Sequence, residues 1–351
     1  MKIAILSRWN TACGVSLHAE LIGREWVKNG HSLTVFAPNN IRSVGEDEGY
    51  VIRCFSDEGD HTETYFDPEP FLDIDYEFLV VERVEWVPLE PLKECFPEIK
   101  KKAKTVYVVH ERKLPTNPLF YEFDWDALVC FDERYRQQWT KRFGEDKIHL
   151  IPYPAGYISK GDKQKARREL DLPLDRKIVF SYGWAPELHI FPILPALQRL
   201  SENHPFLYLV LADPKYIAAD IGPLKDYEFI QLRHELAPIE RLYTYLHASD
   251  AYLIHKEKEE VQKGEAVVPS AILMCLGVST PIITSNTEFA WFLNEEVMKY
   301  SSDNELCNLL IDVVEGGEIV NTTLKRAEEY ATKFSPERIA RGFMELFEKF
   351  L

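Results

Sequence analysis

The chain has 351 residues, of which 46% are hydrophobic and 28% charged, and its formal net charge is −16. This length is enough for two ordinary domains, and the proportions of hydrophobic and charged residues are those of a soluble globular protein. The negative charge argues against DNA or RNA as a partner, because phosphate binding needs a concentrated cationic surface.

The sequence carries no signal for export or membrane insertion. The opening MKIAILSRWN has too short an apolar run for a signal peptide, and no apolar segment approaches the roughly 18 residues of a membrane span. The six cysteines are scattered without a CxxC pair, which favours reduced, buried thiols over a zinc site or disulfides. We therefore expect a cytoplasmic protein without a transmembrane segment.

The first part of the chain alternates short β-type runs with helical patterns, which predicts a parallel sheet flanked by helices. Residues 2–7 predict a strand, 11–16 a turn, and 17–30 a helix that ends at Gly30. Further strands are predicted at HSLTVFAP, FLVVERV, KTVYVVH, ALVCF and IHLIPYP. Together these elements predict a first Rossmann-like domain over residues 1–157.

A second alternating series predicts another Rossmann-like domain over residues 158–335. Its strands are predicted at KIVFSYG, FLYLVLAD, EFIQL, DAYLIHK and TPIITS, and its helices at FPILPALQRLSEN, PIERLYTYLHAS, PSAILMCLG and DNELCNLLIDVV. Residues 336–351 predict a final helix, with Ser335 as N-cap and Pro336 first, which we expect to pack back toward the N-terminal domain. The predicted fold class is α/β, with two doubly wound domains facing a central cleft.

The turn after the first strand is a candidate ligand site. Cys13, Gly14, Val15 and Ser16 open the first helix, and a glycine there lets backbone N–H groups approach an anion or a sugar. The fingerprint G-x-G-x-x-G is absent, so a nicotinamide oxidoreductase has little support. A tight turn that binds nothing is the alternative.

His110 ends the predicted strand KTVYVVH and is followed by Glu111 and Arg112. The carboxyl end of a parallel strand faces the crevice in which ligands bind in such sheets. A histidine at that place could orient or deprotonate a substrate hydroxyl. The alternative is a structural histidine held by hydrogen bonds.

Two stretches of the second domain are candidate phosphate sites. Residues 179–192 predict a strand, a turn at Gly183 and a helix, which is a phosphate-binding shape without a Lys or Arg. Residues 255–277 lead into a helix with Pro269 or Ser270 near its start, whose free N–H groups could face a phosphate. The alternative for the latter is a charged loop that caps a buried helix. Its nearby charged residues are Lys256, Lys258, Lys263 and Glu265.

The order of these motifs resembles the GT-B glycosyltransferases, most closely glycosyltransferase family 4, over nearly the whole chain. GVSLHAELIGREWVKNGHSLTVFAP is similar to that family's opening glycine loop, helix and "GH-x-(V/L)-T-V" strand, and VVHE to its "(T/V)-V-H-D" strand end. IERLYTYLHASDAYLI resembles its helix and "A-D" strand, and GVSTPIITSN resembles "A-G-T-P-V-V-A-S".

The resemblance implies a hexosyltransferase-type enzyme that takes sugar from a nucleotide-sugar substrate, with no metal and no cofactor, and retains anomeric configuration. It implies acceptor binding in the first domain and donor binding in the second. Gly14 would lie near the donor phosphates, His110 on the transferred sugar, and Gly183 at the opening of the phosphate motif. The acceptor would be a saccharide or a lipid-linked molecule, the latter with peripheral membrane contact.

The departures from the family pattern fall on the donor site. Trp184 and His189 stand where the family's "G-R-x-x-x-x-K-G" has its cations, and Ala266 and Met274 where it has two glutamates. Losing one partner of a desolvated, charged hydrogen bond costs about 2–5 kcal/mol, so these losses would abolish useful donor affinity unless other groups compensate. The candidates are Glu265 for the first glutamate and, as cations, protonated His189, Arg233, Lys256, Lys258 and Lys263.

Two hypotheses follow from these features. In the first, the protein is a glycosyltransferase with a divergent donor site and with His110 and Glu265 as catalytic residues. In the second, it is a non-catalytic GT-B protein that binds a saccharide or a partner protein. The substrate-binding residues of the first hypothesis are Gly14, Val15, Ser16, Glu111, Arg112, Gly183, Trp184, His189, Arg233, Lys256, Lys263, Pro269 and Ser270.

Overall fold

A computed structural model describes residues 1–57, 64–111, 113–183, 189–212, 224, 226–257 and 268–351. The chain divides into two compact units. Unit 1 comprises Met1–Pro154 with Pro336–Leu351, and unit 2 comprises Ala155–Ser335. The sequence-based division placed the boundary after residue 157.

Unit 1 is built on a parallel sheet of seven described strands in the order β3-β2-β1-β4-β5-β6-β7. The strands are β1 (Lys2–Leu6), β2 (Ser32–Pro38), β3 (Val51–Phe55), β4 (Phe78–Glu82), β5 (Lys104–Val108), β6 (Ala127–Cys130) and β7 (Ile148–Leu150). The helices among the described residues are α1 (Gly14–Lys28), α2 (Glu69–Asp73), α3 (Leu89–Lys102), α4 (Glu133–Phe143) and, at the end of the chain, α11 (Pro336–Glu348).

Helix α1 follows its sequence signals closely. Cys13 caps its first turn by accepting from the Ser16 backbone N–H. The predicted end at Gly30 is confirmed, since the helix stops at Lys28 and Gly30 takes a φ of 83°, which favours glycine.

Helix α11 packs on α1 and so belongs to unit 1. The indole Nε1 of Trp26 donates to the Ala340 carbonyl at 3.0 Å, and its ring meets Phe343 edge-on at 5.8 Å. The aromatic residues of α11 thereby cover the face of the sheet on which α1 lies.

Unit 2 repeats the same architecture with six described strands in the order β10-β9-β8-β11-β12-β13. The strands are β8 (Lys177–Tyr182), β9 (Phe206–Ala212), β10 (Ile230–His234), β11 (Ala251–Ile254), β12 (Ile282–Ser285) and β13 (Met298–Tyr300). Its described helices are α5 (Lys163–Glu169), α6 (Leu194–Asn203), α7 (Ile239–Ala248), α8 (Ser270–Leu273), α9 (Asp303–Glu315) and α10 (Glu318–Lys333).

Several elements differ from the sequence-based expectation, among them helix α10, for which no helix was predicted. Strands β3 and β13 were not predicted, because three of the five residues of β3 are only partly buried and β13 is only three residues long. Helix α8 is only four residues long, whereas the apolar pattern around it predicted a longer helix. The residues that follow, 274–279, continue as turns.

The six cysteines all lie in the described part of the chain, and none forms a disulfide. Burial raises the pKa of the Cys54 and Cys130 thiols to about 12, which keeps both protonated. None of the helices in the described ranges is long and apolar enough to cross a membrane.

Asp250 joins three elements at the base of the second sheet. It stands between α7 and β11, and its Oδ2 accepts from the Ile178 backbone N–H at 2.8 Å and from Arg167 Nη2 at 2.7 Å. Its Oδ1 accepts from Lys163 at 2.8 Å. Burial alone would raise the pKa of Asp250, but these donors outweigh it and lower the pKa. Asp250 therefore has a structural role in unit 2.

We expect Asp250→Asn to lower the free energy of unfolding by about 3–5 kcal/mol, because it leaves the buried Arg167 guanidinium without its counter-charge. Urea titration at pH 7 measures this loss. Asp303→Asn is the matched control, since its pair with Arg199 is exposed and is expected to contribute less than about 1 kcal/mol.

The same interaction has a defined pH dependence. Because the folded pKa of Asp250 is lowered, its contribution is present above the unfolded value of about 3.9 and is lost as pH falls through the folded pKa. Wild-type protein should therefore lose more stability than Asp250→Asn in that acid range. Equal acid sensitivity of the two proteins contradicts this role.

Candidate functional site

The candidate residues of unit 1 lie at the carboxyl ends of β1, β4 and β5, which are neighbours in the sheet. At the start of α1, the Gly14 carbonyl accepts from the Tyr153 hydroxyl at 2.6 Å, and Val15 is buried. The Ser16 hydroxyl is also buried, donating to Glu20 at 2.6 Å and accepting from the Thr11 backbone N–H at 3.0 Å. Ser16 thus orders the loop, and its hydroxyl is already engaged.

His110 lies two residues beyond the end of β5 and is 7% exposed. Its Nε2 is 2.5 Å from Glu82 Oε2, and the other oxygen of this carboxyl, Oε1, is 2.9 Å from His18 Nδ1. Glu82 and His18 are fully or almost fully buried. The structure therefore assembles a His18–Glu82–His110 triad that sequence spacing did not predict.

Two opposing effects set the charge of this triad. Burial acts to raise the pKa of Glu82, but His18 and His110 outweigh it and hold the pKa at about 2. Burial also lowers the pKa of His110, and this effect exceeds the opposing attraction of Glu82. At neutral pH, Glu82 is therefore ionised and His110 is neutral.

A second polar group surrounds Trp86, just after β4. The Arg8 guanidinium lies 3.5 Å from the centre of the Trp86 ring and the Arg83 guanidinium 3.9 Å from it. Arg8 donates to Asp57 at 2.7 and 2.9 Å, and Arg83 pairs with Glu111 at 2.6 Å. Glu111 is thus held in an ion pair at this edge of unit 1.

The candidate residues of unit 2 follow β8 and β11, the neighbouring strands at which the strand order reverses. Gly183 takes a φ of 134°, a conformation that side-chain-bearing residues rarely adopt. A Cβ placed there would come no nearer than 3.9 Å to Ala271. The turn therefore depends on glycine for its backbone conformation and not for space.

His189 and Lys256, two of the residues predicted as substitute cations, are in direct contact. Lys256 Nζ is hydrogen-bonded to His189 Nε2. An ammonium group donates to an imidazole nitrogen only when that nitrogen carries no proton, so the cation of this pair is Lys256. Its backbone N–H and carbonyl are both bonded to the Ser285 hydroxyl at 2.8 Å, which ties the end of β11 to β12.

The structure does not bring every candidate to this edge. Arg233 lies inside β10, at the edge of the sheet, where Nη2 is 3.4 Å from the Asp171 carbonyl and the guanidinium is 5.8 Å from the Tyr245 ring. Pro269 and Ser270 open the four-residue helix α8, and the Ser270 N–H donates to the Val268 carbonyl at 2.8 Å. Four further candidates, Arg112, Trp184, Lys263 and Glu265, lie outside the described residues, as does Lys258.

Met274 stands where the resemblance implies the second glutamate. Its side chain is 1% exposed, and a Cβ on Gly156 would come within 2.2 Å of its carbonyl oxygen. This position is packed into unit 2.

Sequence reasoning missed Glu82 and His18 because neither stands in a recognisable motif. Glu82 is the one charged residue of the otherwise apolar run FLVVE, and a charge at the end of a buried strand is a usable signal. His18 sits four residues after Gly14 on α1, and nothing in the sequence points to its partner 64 residues away.

No protein-family model matches the sequence. Solved glycosyltransferase structures do resemble the chain over its length. Sucrose-phosphate synthase from Thermosynechococcus elongatus is 15% identical, with a TM-score of 0.68, covering 100% of this chain and 99% of that one. A glycosyltransferase from Rickettsia africae is 14% identical, with a TM-score of 0.65 and coverage of 99% and 98%.

The pneumococcal O-GlcNAc transferase GtfA, solved in complex with UDP and GlcNAc, is 11% identical, with a TM-score of 0.68 and coverage of 99% of both chains. Likeness at this level of identity shows the fold. With its two parallel sheets, the chain has the GT-B fold of glycosyltransferases, as its sequence predicts.

We expect Gly183→Ala to destabilise unit 2 by about 1–3 kcal/mol, because alanine must adopt a φ of 134° although no atom blocks its methyl group. Thermal or urea unfolding measures the change. Gly49→Ala is the control, since Gly49 has open space around it and no positive φ. Equal stability of the two variants would show that the turn does not require glycine.

Proposed function

We propose that the protein is a glycosyltransferase that moves a sugar from a nucleotide-sugar donor to an acceptor hydroxyl. Its strongest support, beyond the fold, is the contact of Lys256 with His189 beside the Gly183 turn. This contact puts a cation at the strand-order reversal of a doubly wound sheet, where such folds bind their ligands. The family's arginine and lysine are missing from the sequence, and Lys256 offers a relocated charge.

In this proposal unit 2 binds the donor. The Lys256 ammonium stabilises the negative charge that develops on the nucleoside diphosphate as it leaves, and His189 holds that ammonium in place. The Gly183 turn lets the backbone approach the phosphates. The nucleotide-sugar is a substrate, and the reaction uses neither a metal nor a separate cofactor and retains anomeric configuration.

Unit 1 binds the acceptor in this proposal. His110 contacts the transferred sugar, and the loop at Gly14 and the ion-paired Glu111 border the acceptor. Glu265 acts with His110 as a catalytic group, by meeting a sugar hydroxyl or stabilising developing positive charge. A saccharide or a lipid-linked molecule would serve as acceptor, in the cytoplasm or at its membrane surface, and the sugar would be a hexose.

One observation favours a second function, a non-catalytic GT-B protein that binds a saccharide or a partner protein. The position of the family's second glutamate holds Met274, which is 1% exposed. A buried methionine offers no hydrogen bond to a ribose. If no other group supplies that bond, donor affinity falls, and the fold serves binding alone.

Calorimetry with UDP, GDP and ADP tests the proposal. We expect at least one of them to bind wild-type protein with a micromolar dissociation constant. Lys256→Gln should weaken that binding at least about tenfold, because it removes a charged partner of the diphosphate.

Lys325→Gln is the matched control, an exposed lysine on α10 of the same unit, and it should bind as wild type does. Unfolding curves of both variants establish that they are folded. Millimolar or weaker binding of all three nucleotides by wild-type protein contradicts the proposal and favours the non-catalytic function.

A further inference from the structure

The buried carboxyl of Glu82 accepts hydrogen bonds from two histidines at once. His18 Nδ1 lies 2.9 Å from Oε1, and His110 Nε2 lies 2.5 Å from Oε2. Each oxygen therefore has its own imidazole. The Glu82 and His18 side chains are both 0% exposed.

The sheet register explains why these residues meet. Glu82, the last residue of β4, is paired with Val108 of β5, and neighbours in register point to the same face. His110 follows two residues later, which returns its side chain to that face. Helix α1 covers the face and brings His18 to the other carboxylate oxygen, while Phe343 of α11 lies 5.9 Å from the His18 ring.

The contact determines which nitrogen of His110 carries the proton. An ionised carboxyl has no proton to donate, so both nitrogens that face it must be N–H donors. A neutral His110 with its proton on Nε2 has a lone pair on Nδ1. Within the described residues, His110 Nδ1 makes no hydrogen bond, and it is the nitrogen left for a ligand.

We infer that Glu82 is a positioning residue that fixes the ring and tautomer of His110, so that Nδ1 is presented as the acceptor for a substrate hydroxyl. The inference rests on the proposed function for the identity of that hydroxyl, on the sugar or on the acceptor. A histidine with the opposite tautomer would present an N–H and could not accept a hydroxyl proton.

His18 is the second anchor of the carboxylate. By donating to Oε1 it stops the carboxyl group from rotating away from His110. The rings of Phe131, Tyr153 and Phe343 lie 5.1, 5.2 and 5.9 Å from the His18 ring, so its surroundings are aromatic. Water that would compete for the carboxylate is thereby kept out.

Two histidines and a glutamate are also a ligand set for zinc, and their ligating atoms lie within 4.8 Å of one another. Bonds of about 2.0–2.1 Å to a tetrahedral zinc would separate the ligand atoms by about 3.3 Å. The observed separations of 2.5 and 2.9 Å are instead hydrogen-bond lengths. The distances therefore favour hydrogen bonds between these side chains over coordination of a metal ion.

Long-range ¹H–¹⁵N correlation spectra of labelled, substrate-free protein at pH 7 read the tautomer directly. We expect His110, assigned by the loss of its signals in His110→Gln, to show a protonated Nε2 and an unprotonated Nδ1. Glu82→Gln should abolish this single tautomer, because its amide can donate as well as accept. It should also slow sugar transfer at least about 100-fold.

Glu25→Gln is the matched control, a buried glutamate on α1, the helix of His18, whose carboxylate pairs with Lys28. It should leave the tautomer and the transfer rate unchanged. If Glu82→Gln does not fold, the wild-type tautomer still decides the question.

Three results would overturn the inference. They are a wild-type His110 with its proton on Nδ1, a Glu82→Gln variant with wild-type tautomer and transfer rate, and stoichiometric zinc whose removal by a chelator changes the His110 signals. Because the tautomer is read without substrate, a failure of nucleotide binding contradicts the proposed function and leaves this test intact.

Discussion

The candidate sites of both units depend on one constraint, the meeting of strand ends where the strand order reverses. In unit 1 the first strand, β1, lies between β2 and β4, and in unit 2 β8 lies between β9 and β11. Loops that leave adjacent strands on opposite faces open a crevice at such a point, so ligands bind there. In unit 1, Glu82 ends β4 and His110 follows the next strand, β5, and in unit 2 Gly183 and Lys256 follow β8 and β11.

Each unit buries a carboxylate close to its sheet, and both oxygens of each carboxylate accept hydrogen bonds. Asp250 accepts hydrogen bonds from two cations and a backbone N–H, and Glu82 accepts them from two imidazoles. An unpartnered buried charge costs several kcal/mol, so these arrangements persist only when every partner is present. The two carboxylates have different roles. Asp250 joins α5 and β8 to the start of β11, whereas Glu82 orients His110, which is 7% exposed at the edge of its sheet.

The sequence predicts the fold well because its main signals are local. Apolar runs and helical spacing indicate most strands and helices of both sheets, and the glycine signal at Gly30 correctly ends α1. Strand β3 escapes prediction, since a strand with Arg53 at its centre and three half-buried residues lacks the buried pattern. The apolar pattern at α8 predicts a longer helix, but the residues that follow the helix are buried in turns. An apolar run alone does not distinguish buried turns from a buried helix.

The site is less predictable because its contacts depend on register and tertiary packing. His110 and Lys256 stand out by following predicted strands, but the partners of His110 come from α1 and β4, 92 and 28 residues away. The contact between Lys256 and His189 likewise joins two separately predicted candidates. Arg233, in contrast, follows a predicted strand in the sequence but lies within β10 and faces Tyr245.

Release of nucleoside diphosphate from UDP-, GDP- and ADP-sugars, with and without a mixed saccharide acceptor, tests the central claim of sugar transfer most directly. We expect wild-type protein to release the diphosphate from one class of donor, and folded His110→Gln to do so at least about 100-fold more slowly. Absence of release from every donor by folded wild-type protein would contradict the claim and leave a GT-B fold that binds without catalysing.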